Sequence, residues 1–293
     1  AVGIVAQRPP ARVPEGVTFL VVPDSRRALA RLAAAFHGEP SKWLRLAGIT
    51  GTNGKTTVTY LVESMLQRNG DSAGAIGTTG IRIAGRVRQT SHTTPDGPQL
   101  QQALAEMRNA GVDAVVMEVS SHALEQGRAV GCQFDVAAFT NLTRDHLDYH
   151  GDMERYFEAK SRLVTELLKH SDKPRRRLVV NAEDPWAARF ASLWRDVLTV
   201  STRPDAQTSI RPVSLGFDLD GIRGRLVTPR GEISVDSSLV GSFNASNMVL
   251  AVGIAEALEL PIEAIEKGIR ALRRIPGRLE PVKVPADRGG HAD

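Results

Sequence analysis

The stretch GITGTNGKTT, residues 48–57, carries the densest chemistry in this chain. Glycines at 48, 51 and 54 let the backbone turn tightly, so that its N–H groups can face an anion. A lysine and two threonines then open a helix, whose N-terminus attracts phosphate. Lys55 is placed to reach β- and γ-phosphates, and Thr56 to hold Mg²⁺. The spacing departs from the strict GxxxxGK[ST] pattern. Ile49 stands where the first glycine belongs, with Gly48 and Gly51 on either side.

Three further stretches could work with such a loop. MEVSSH, 117–122, ends an apolar run at Glu118. A carboxylate at the C-terminal end of a strand can take Mg²⁺ beside the loop, or it can serve as a helix cap or surface residue. TNLTRDHLDYH, 140–150, packs Asp145, His146, Asp148 and His150 together. That cluster suits either a metal or phosphate edge, or a turn whose aspartates cap the next helix. In YFEAKSRLV, 156–164, helical spacing puts Met153, Tyr156, Phe157, Lys160, Leu163 and Val164 on one face. Lys160 either snorkels to water from that apolar stripe or is buried. Burial disfavours its ammonium. A neutral amine can add CO₂ to form a carbamate, an oxygen ligand of the kind a second Mg²⁺ prefers.

Positioning these groups requires strands that end at them and helices that follow. WLRLAGIT reads as a buried strand ending near Thr50. After it, Val58, Leu61, Val62, Met65 and Leu66 repeat at helical spacing until Gly70. A helix through PQLQQALAEMRNAG precedes the strand VDAVVMEV, and FDVAAFTNL is another strand. Then come the Lys160 helix, RRLVVN, a helix around Trp186–Leu193, and DVLTVS. Alternating strands and helices predict an α/β fold with a mostly parallel sheet covered on both faces. Residues 208–240 alternate polar and apolar, with turns at Asp220-Gly221 and Pro229-Arg230-Gly231. They predict a small antiparallel β insertion, followed by helices near 244–259 and 261–273. Residues 1–45 read as a short α/β piece. Its helical pattern runs through Ala28, Leu29, Leu32, Ala33 and Phe36.

Composition limits the function classes. The chain has 293 residues, is 42% hydrophobic and 24% charged, and carries a formal net charge of +4. The small basic excess is spread along the chain, and its densest run, Arg175-Arg176-Arg177, lacks the interleaved aromatics of a nucleic-acid platform. The single cysteine, Cys132, excludes an intramolecular disulfide framework and fits a reducing compartment. There is no bilayer-length apolar run and no signal-peptide pattern. A cytoplasmic location is expected, without membrane or nucleic-acid partners.

The pieces GTNGKTT, TTPD, EVSSHALEQGR, TNLTRDHLDYHGDMERYFEAK and GSFNASN…GRLEPV resemble, in this order, the Mur ligase family, and within it the MurE type. The resemblance spans roughly residues 45–282. It implies ATP-driven amide bond formation: the D-glutamyl carboxylate of UDP-MurNAc-L-Ala-D-Glu is phosphorylated, and a diamino acid, meso-diaminopimelate or L-lysine, attacks the acyl phosphate. By this resemblance Gly51, Thr52, Asn53, Gly54, Lys55, Thr56 and Thr57 cradle ATP, Asn244 and Asn247 lie on its adenine side, and Arg278 contacts its ribose or a phosphate. Thr56, Glu118, His146 and a carbamylated Lys160 surround Mg²⁺, expected as two ions. Lys55, Glu118, His146 and Lys160 carry the catalysis. Thr93, Thr94, Ser120, Gln126 and Arg128 hold the UDP-sugar dipeptide, together with His92, which falls where some members carry Asn.

The same resemblance divides the chain into 1–45, the end of a uridine-binding domain with its linker, and 46–282, the central ATP-binding domain. A polar tail follows at 283–293. The incoming-residue domain is then missing, so a monomeric piece without ligase turnover of its own is expected. Two other readings stay open: a folylpolyglutamate synthetase-like ligase, and a nucleotide-binding domain without catalysis.

Overall fold

The computed structural model of the chain describes residues 3–12 and 15–278. The expected polar tail, 283–293, and the final residues of the expected central domain, 279–282, lie outside them. A short parallel pair, β1 (Gly3–Ala6) and β2 (Thr18–Val21), leads to α1 (Ser25–Phe36). After a 3₁₀ turn at Pro40–Trp43 the chain enters β3 (Arg45–Thr50), α2 (Lys55–Arg68), β4 (Ala73–Gly77), β5 (Gly80–Ile83) and β6 (Arg86–Arg88). Next come α3 (Gly97–Asn109), β7 (Ala114–Glu118), α4 (Ser121–Glu125), β8 (Val136–Phe139), α5 (Leu147–His150) and α6 (Met153–Arg162). A π-helical turn, Leu163–Leu168, extends α6 before β9 (Arg177–Asn181), α7 (Ala187–Ala191) and β10 (Val197–Val200). β11 (Arg211–Asp218), β12 (Gly221–Thr228) and β13 (Gly231–Ser237) form a separate antiparallel sheet, and α8 (Ser242–Ala257) and α9 (Ile262–Ala271) follow.

The main sheet has the order β10-β9-β8-β3-β7-β4-β5-β6. From β10 to β4 all pairings are parallel, while β5 and β6 add an antiparallel edge. The strands read as continuous apolar runs because both faces are covered. On one face Ala47, Ile49, Ala114, Val116, Val136 and Ala138 pack with α2 and α8. On the other, Leu46, Val115, Met117, Ala137 and Phe139 pack with residues of α3 and α6. α2 buries Val58, Leu61, Val62, Met65 and Leu66 completely, a gross gain on the order of 10 kcal/mol. β3 lies between β7 and β8, so the loops after three adjacent strands meet at one edge of the sheet.

The sequence pattern failed in two places. Nothing in it singled out β4, β5 and β6. In α1 the stripe through Leu29, Leu32 and Phe36 faces outward, and the helix buries Ala30, Ala33 and Ala34 instead. The reason is close approach. Ala30 and Ala34 sit against Gly97 and Gly131, where an added Cβ would come within 2.8 Å of the alanine methyl. Larger side chains do not fit there, so they point away. Among the described residues no helix is long and apolar enough to cross a membrane.

Candidate functional site

β3 ends at Thr50 and the chain turns through residues 51–54 before α2 begins at Lys55. Gly51 and Gly54 take φ of +143° and +88°, which side-chain-bearing residues rarely adopt. A Cβ on either would collide, with Thr140 Oγ1 and with Asn247 Oδ1 respectively. The loop after β8 clamps this turn. Thr52 N donates to Asn141 O (2.8 Å), Asn53 N to Asn141 Oδ1 (3.0 Å), and Thr140 Oγ1 to Asn53 O (2.6 Å). No side chain caps α2 at Gly54. Its first N–H groups are therefore left for an anion.

Lys55 Nζ donates to Gly51 O and to Thr52 O, each at 2.8 Å. Lys160 Nζ donates to the same Gly51 O, also at 2.8 Å. Two lysines thus meet at one carbonyl. Lys160 does not snorkel, being 1% exposed with its nitrogen 4.4 Å from the Tyr156 ring centroid. Burial, and secondly the charge of Lys55, push its pKa well below the usual lysine range, and Asp145 opposes this only in part. Burial also lowers the pKa of Lys55, against the attraction of Glu118 and Asp145.

Glu118 ends β7 with 1% exposure. Its Oε2 accepts from Thr56 Oγ1 (3.2 Å) and Thr78 Oγ1 (3.1 Å), and its Oε1 from Thr78 N (3.0 Å). His146 adopts φ +52° just before α5, and its side chain is 48% exposed. It stands edge-on to His122 at 5.0 Å. Asp145 lies 3.6 Å from it. His150, by contrast, is buried as a brace, with Nε2 2.9 Å from Ser121 Oγ and Nδ1 3.2 Å from Glu125 Oε2. Asp152 caps α6 through Arg155 N (2.8 Å). The 140–150 cluster is therefore divided: His146 faces the site and His150 the interior.

A cavity of about 590 Å³ gathers most of the expected residues. Thr52, Asn53, Gly54, Lys55, Thr56 and Thr57 form one wall. Glu118, His146, Thr93 and Ser120 form a second, and Asn244, Asn247 and Arg278 close a third. Gly51 and Lys160 do not line this cavity, and the Lys160 amine lies against the Gly51 carbonyl. Thr94 is fully buried, its hydroxyl donating to Glu118 O (3.0 Å) and accepting from Ser120 N (3.0 Å). Gln126 and Arg128 line an adjacent cavity of about 490 Å³. There Arg128 is held by Gln126 Oε1, Thr94 O and Asp96. His92 is exposed and pairs locally with Ser91. Sequence reasoning missed Thr78, Asn141, Phe243 and Ser246, which also line the main cavity. Asn141 stood inside a quoted motif, and Thr78 lay in the stretch that gave no strand signal.

The donor set fits a nucleotide phosphate with a divalent cation. It offers an uncapped helix N-terminus, a lysine, and a hydroxyl beside a carboxylate, the hard oxygen ligands Mg²⁺ takes. Among the described residues no three His, Cys, Asp or Glu side chains form a metal-holding group.

Comparison with known proteins agrees with this geometry. The family model described as the Mur ligase middle domain matches residues 49–255. The UDP-N-acetylmuramoyl-L-alanyl-D-glutamate–2,6-diaminopimelate ligase of Geobacter metallireducens is 50% identical over 291 residues, 99% of this chain and 56% of the relative. The protein of the same name from Gloeobacter violaceus is 45% identical over 282 residues, 96% of this chain and 56% of the relative. The chain thus spans a little over half the length of these curated relatives. A solved structure bearing that enzyme name superimposes with a TM-score of 0.79 at 31% identity, covering 90% of this chain and 53% of the other. A Mycobacterium tuberculosis folylpolyglutamate synthase complexed with ADP and AMPPCP gives a TM-score of 0.71 at 22% identity, covering 88% and 64%. That likeness shows the shared fold alone.

Proposed function

This chain belongs to the Mur ligase family, and we propose that it is the nucleotide-binding part of an ATP-dependent ligase that joins diaminopimelate to UDP-MurNAc-L-Ala-D-Glu. The observation that carries the reading is the loop at 51–57. It presents a helix N-terminus, Lys55 and Thr56 to one cavity, with the carboxylate of Glu118 hydrogen-bonded to Thr56. Diaminopimelate is preferred over lysine because the relatives at 45–50% identity carry it in their names.

In this reading residues 46–282 are the central unit and 1–45 the end of a preceding one. The loop amides and Lys55 bind and orient the ATP phosphates, Asn244 and Asn247 take the adenine side, and Arg278 contacts the ribose or a phosphate. Thr93 and Ser120, with Thr94, Gln126, Arg128 and His92 nearby, hold the sugar-linked dipeptide. Its D-glutamyl carboxylate attacks the γ-phosphorus, ADP leaves, and the diamino acid's amine then displaces phosphate from the acyl phosphate. Thr56, Glu118 and His146 would hold Mg²⁺. When bound, that cation supplies charge neutralisation on the transferring phosphoryl group.

Lys160 deprotonates and adds CO₂, releasing a proton and becoming a carbamate. The group keeps one N–H, which can go on donating to Gly51 O. Its new negative charge attracts Lys55 where the ammonium repelled it. Use of ATP and a UDP-linked substrate supports a cytoplasmic reaction.

Equilibrium binding tests the reading on the 293-residue chain. Mg²⁺ with AMP-PNP and UDP-MurNAc-L-Ala-D-Glu should both bind. Lys55→Ala should weaken AMP-PNP about tenfold or more, the usual loss when a charge-assisted hydrogen bond is removed. Failure of the wild-type chain to bind either ligand would refute it.

A further inference from the structure

The carboxylate of Glu118 is held from outside the phosphate loop by a two-residue step after β4. Thr78 grips both oxygens, its backbone N–H on Oε1 (3.0 Å) and its hydroxyl on Oε2 (3.1 Å). The residue before it must be glycine, since a Cβ on Gly77 would collide with Glu118 Oε1. The Thr78 hydroxyl also lies 3.2 Å from Thr93 Oγ1. A hydroxyl has one proton. Spent on the carboxylate, it leaves lone pairs that accept from Thr93. Thr93, Thr78, Glu118 and Thr56 therefore form a continuous chain of hydrogen bonds across the cavity.

We propose that Thr78 is a positioning residue: it fixes the rotamer of the Glu118 carboxylate so that the lone pairs left free face the cation, and it ties that carboxylate to Thr93 on the acceptor side. This rests on the reading of Glu118 as a cation ligand. A carboxylate ligand needs such a partner because its free rotation would otherwise scatter its oxygens over several directions, and losing a partner of this kind typically costs 10–100-fold in metal affinity. Thr56 alone does not suffice, because it holds only one of the two oxygens, Oε2.

The test is calorimetric binding of AMP-PNP to wild type, Thr78→Val, Thr78→Ser and Glu118→Gln, each with Mg²⁺ and with EDTA. Thr78 is exposed and valine nearly isosteric, so the fold is not at risk. The expected result is about tenfold or greater weakening by Thr78→Val in Mg²⁺, with EDTA binding within about twofold of wild type. Thr78→Ser should restore the Mg²⁺ affinity. Equal weakening in Mg²⁺ and EDTA would overturn the proposal, because the effect would then be merely structural. If Glu118→Gln loses the Mg²⁺ dependence but Thr78→Val keeps wild-type affinity, the role of Thr78 falls while the cation reading stands. If wild type itself shows no Mg²⁺-dependent binding, both fall.

Discussion

Replacing Lys160 with methionine keeps an unbranched side chain, one heavy atom shorter, and removes its charge. The structure determines what this does to stability. Lys160 is 1% exposed, and its nitrogen shares the Gly51 carbonyl with that of Lys55, each at 2.8 Å. The two nitrogens are thus no more than twice that distance apart. At an effective dielectric of about 20, two unit charges so placed repel by about 3 kcal/mol, before any cost of desolvation. Burial and this repulsion lower the pKa of the folded amine from its ordinary value of 10.5. The unfolded chain then binds the extra proton, so folding must release it. Wherever the unfolded amine is charged and the folded one neutral, stability rises with pH by about 1.4 kcal/mol per unit. Lys160→Met lacks this dependence. In the pH range between the lowered folded pKa and the ordinary value of 10.5, wild type should therefore gain stability relative to the variant as the pH rises. Denaturant unfolding of both proteins in CO₂-free buffer measures the difference. A gap that stays flat with pH would mean the folded amine keeps its proton, and the argument from burial would be wrong. Adding bicarbonate should stabilise wild type and leave Lys160→Met unchanged.

Two further substitutions separate the roles of neighbouring residues. Gly51→Ala forces a side chain into φ +143° and against Thr140 Oγ1. It should cost on the order of 2–3 kcal/mol in unfolding free energy and abolish AMP-PNP binding by calorimetry. His150→Ala removes a buried imidazole bonded on both nitrogens, to Ser121 and Glu125. It should lower stability by about 2–4 kcal/mol yet leave AMP-PNP affinity within about twofold, which a ligand-binding histidine would not.

How much of this could be read in the sequence depended on local signal. Helix α6 was legible because its apolar period is strict, and the same period put Lys160 in the apolar stripe while leaving open whether its amine was buried or reached water. The antiparallel sheet at Arg211–Ser237 was legible because alternation and turn dipeptides agree there. β4 was not. Its sequence AGAIG has one β-branched residue among alanines and glycines, and β6 is wholly exposed. Small residues suit β4 because it is buried throughout, with Gly74 lying against Met107 and Gly77 against Glu118. The close approach that removed the strand signal is what brings Thr78 to the carboxylate, so losing the strand meant losing the residue. The α1 stripe misled for a related reason: contact with Gly97 and Gly131 selects alanine, so the bulky residues of that helix mark its outer side.

The placement of Lys160 was visible while its partner was not, because face is a local property and contact is not. Lys160 reaches a carbonyl 109 residues earlier in the chain, and only the parallel order of β3 and β8 brings the two together. A lone buried ammonium would ordinarily be replaced by an apolar residue, since several kcal/mol of desolvation gain nothing for the fold. Here the fold instead sets a second lysine on the same acceptor, which raises the cost further. That arrangement disfavours the charged form of both amines, and most strongly that of Lys160, the more deeply enclosed. The charged residue that looks misplaced in the helix and the chemistry assigned to the site therefore have one cause, a single carbonyl at the turn of the phosphate loop that two cations cannot comfortably share.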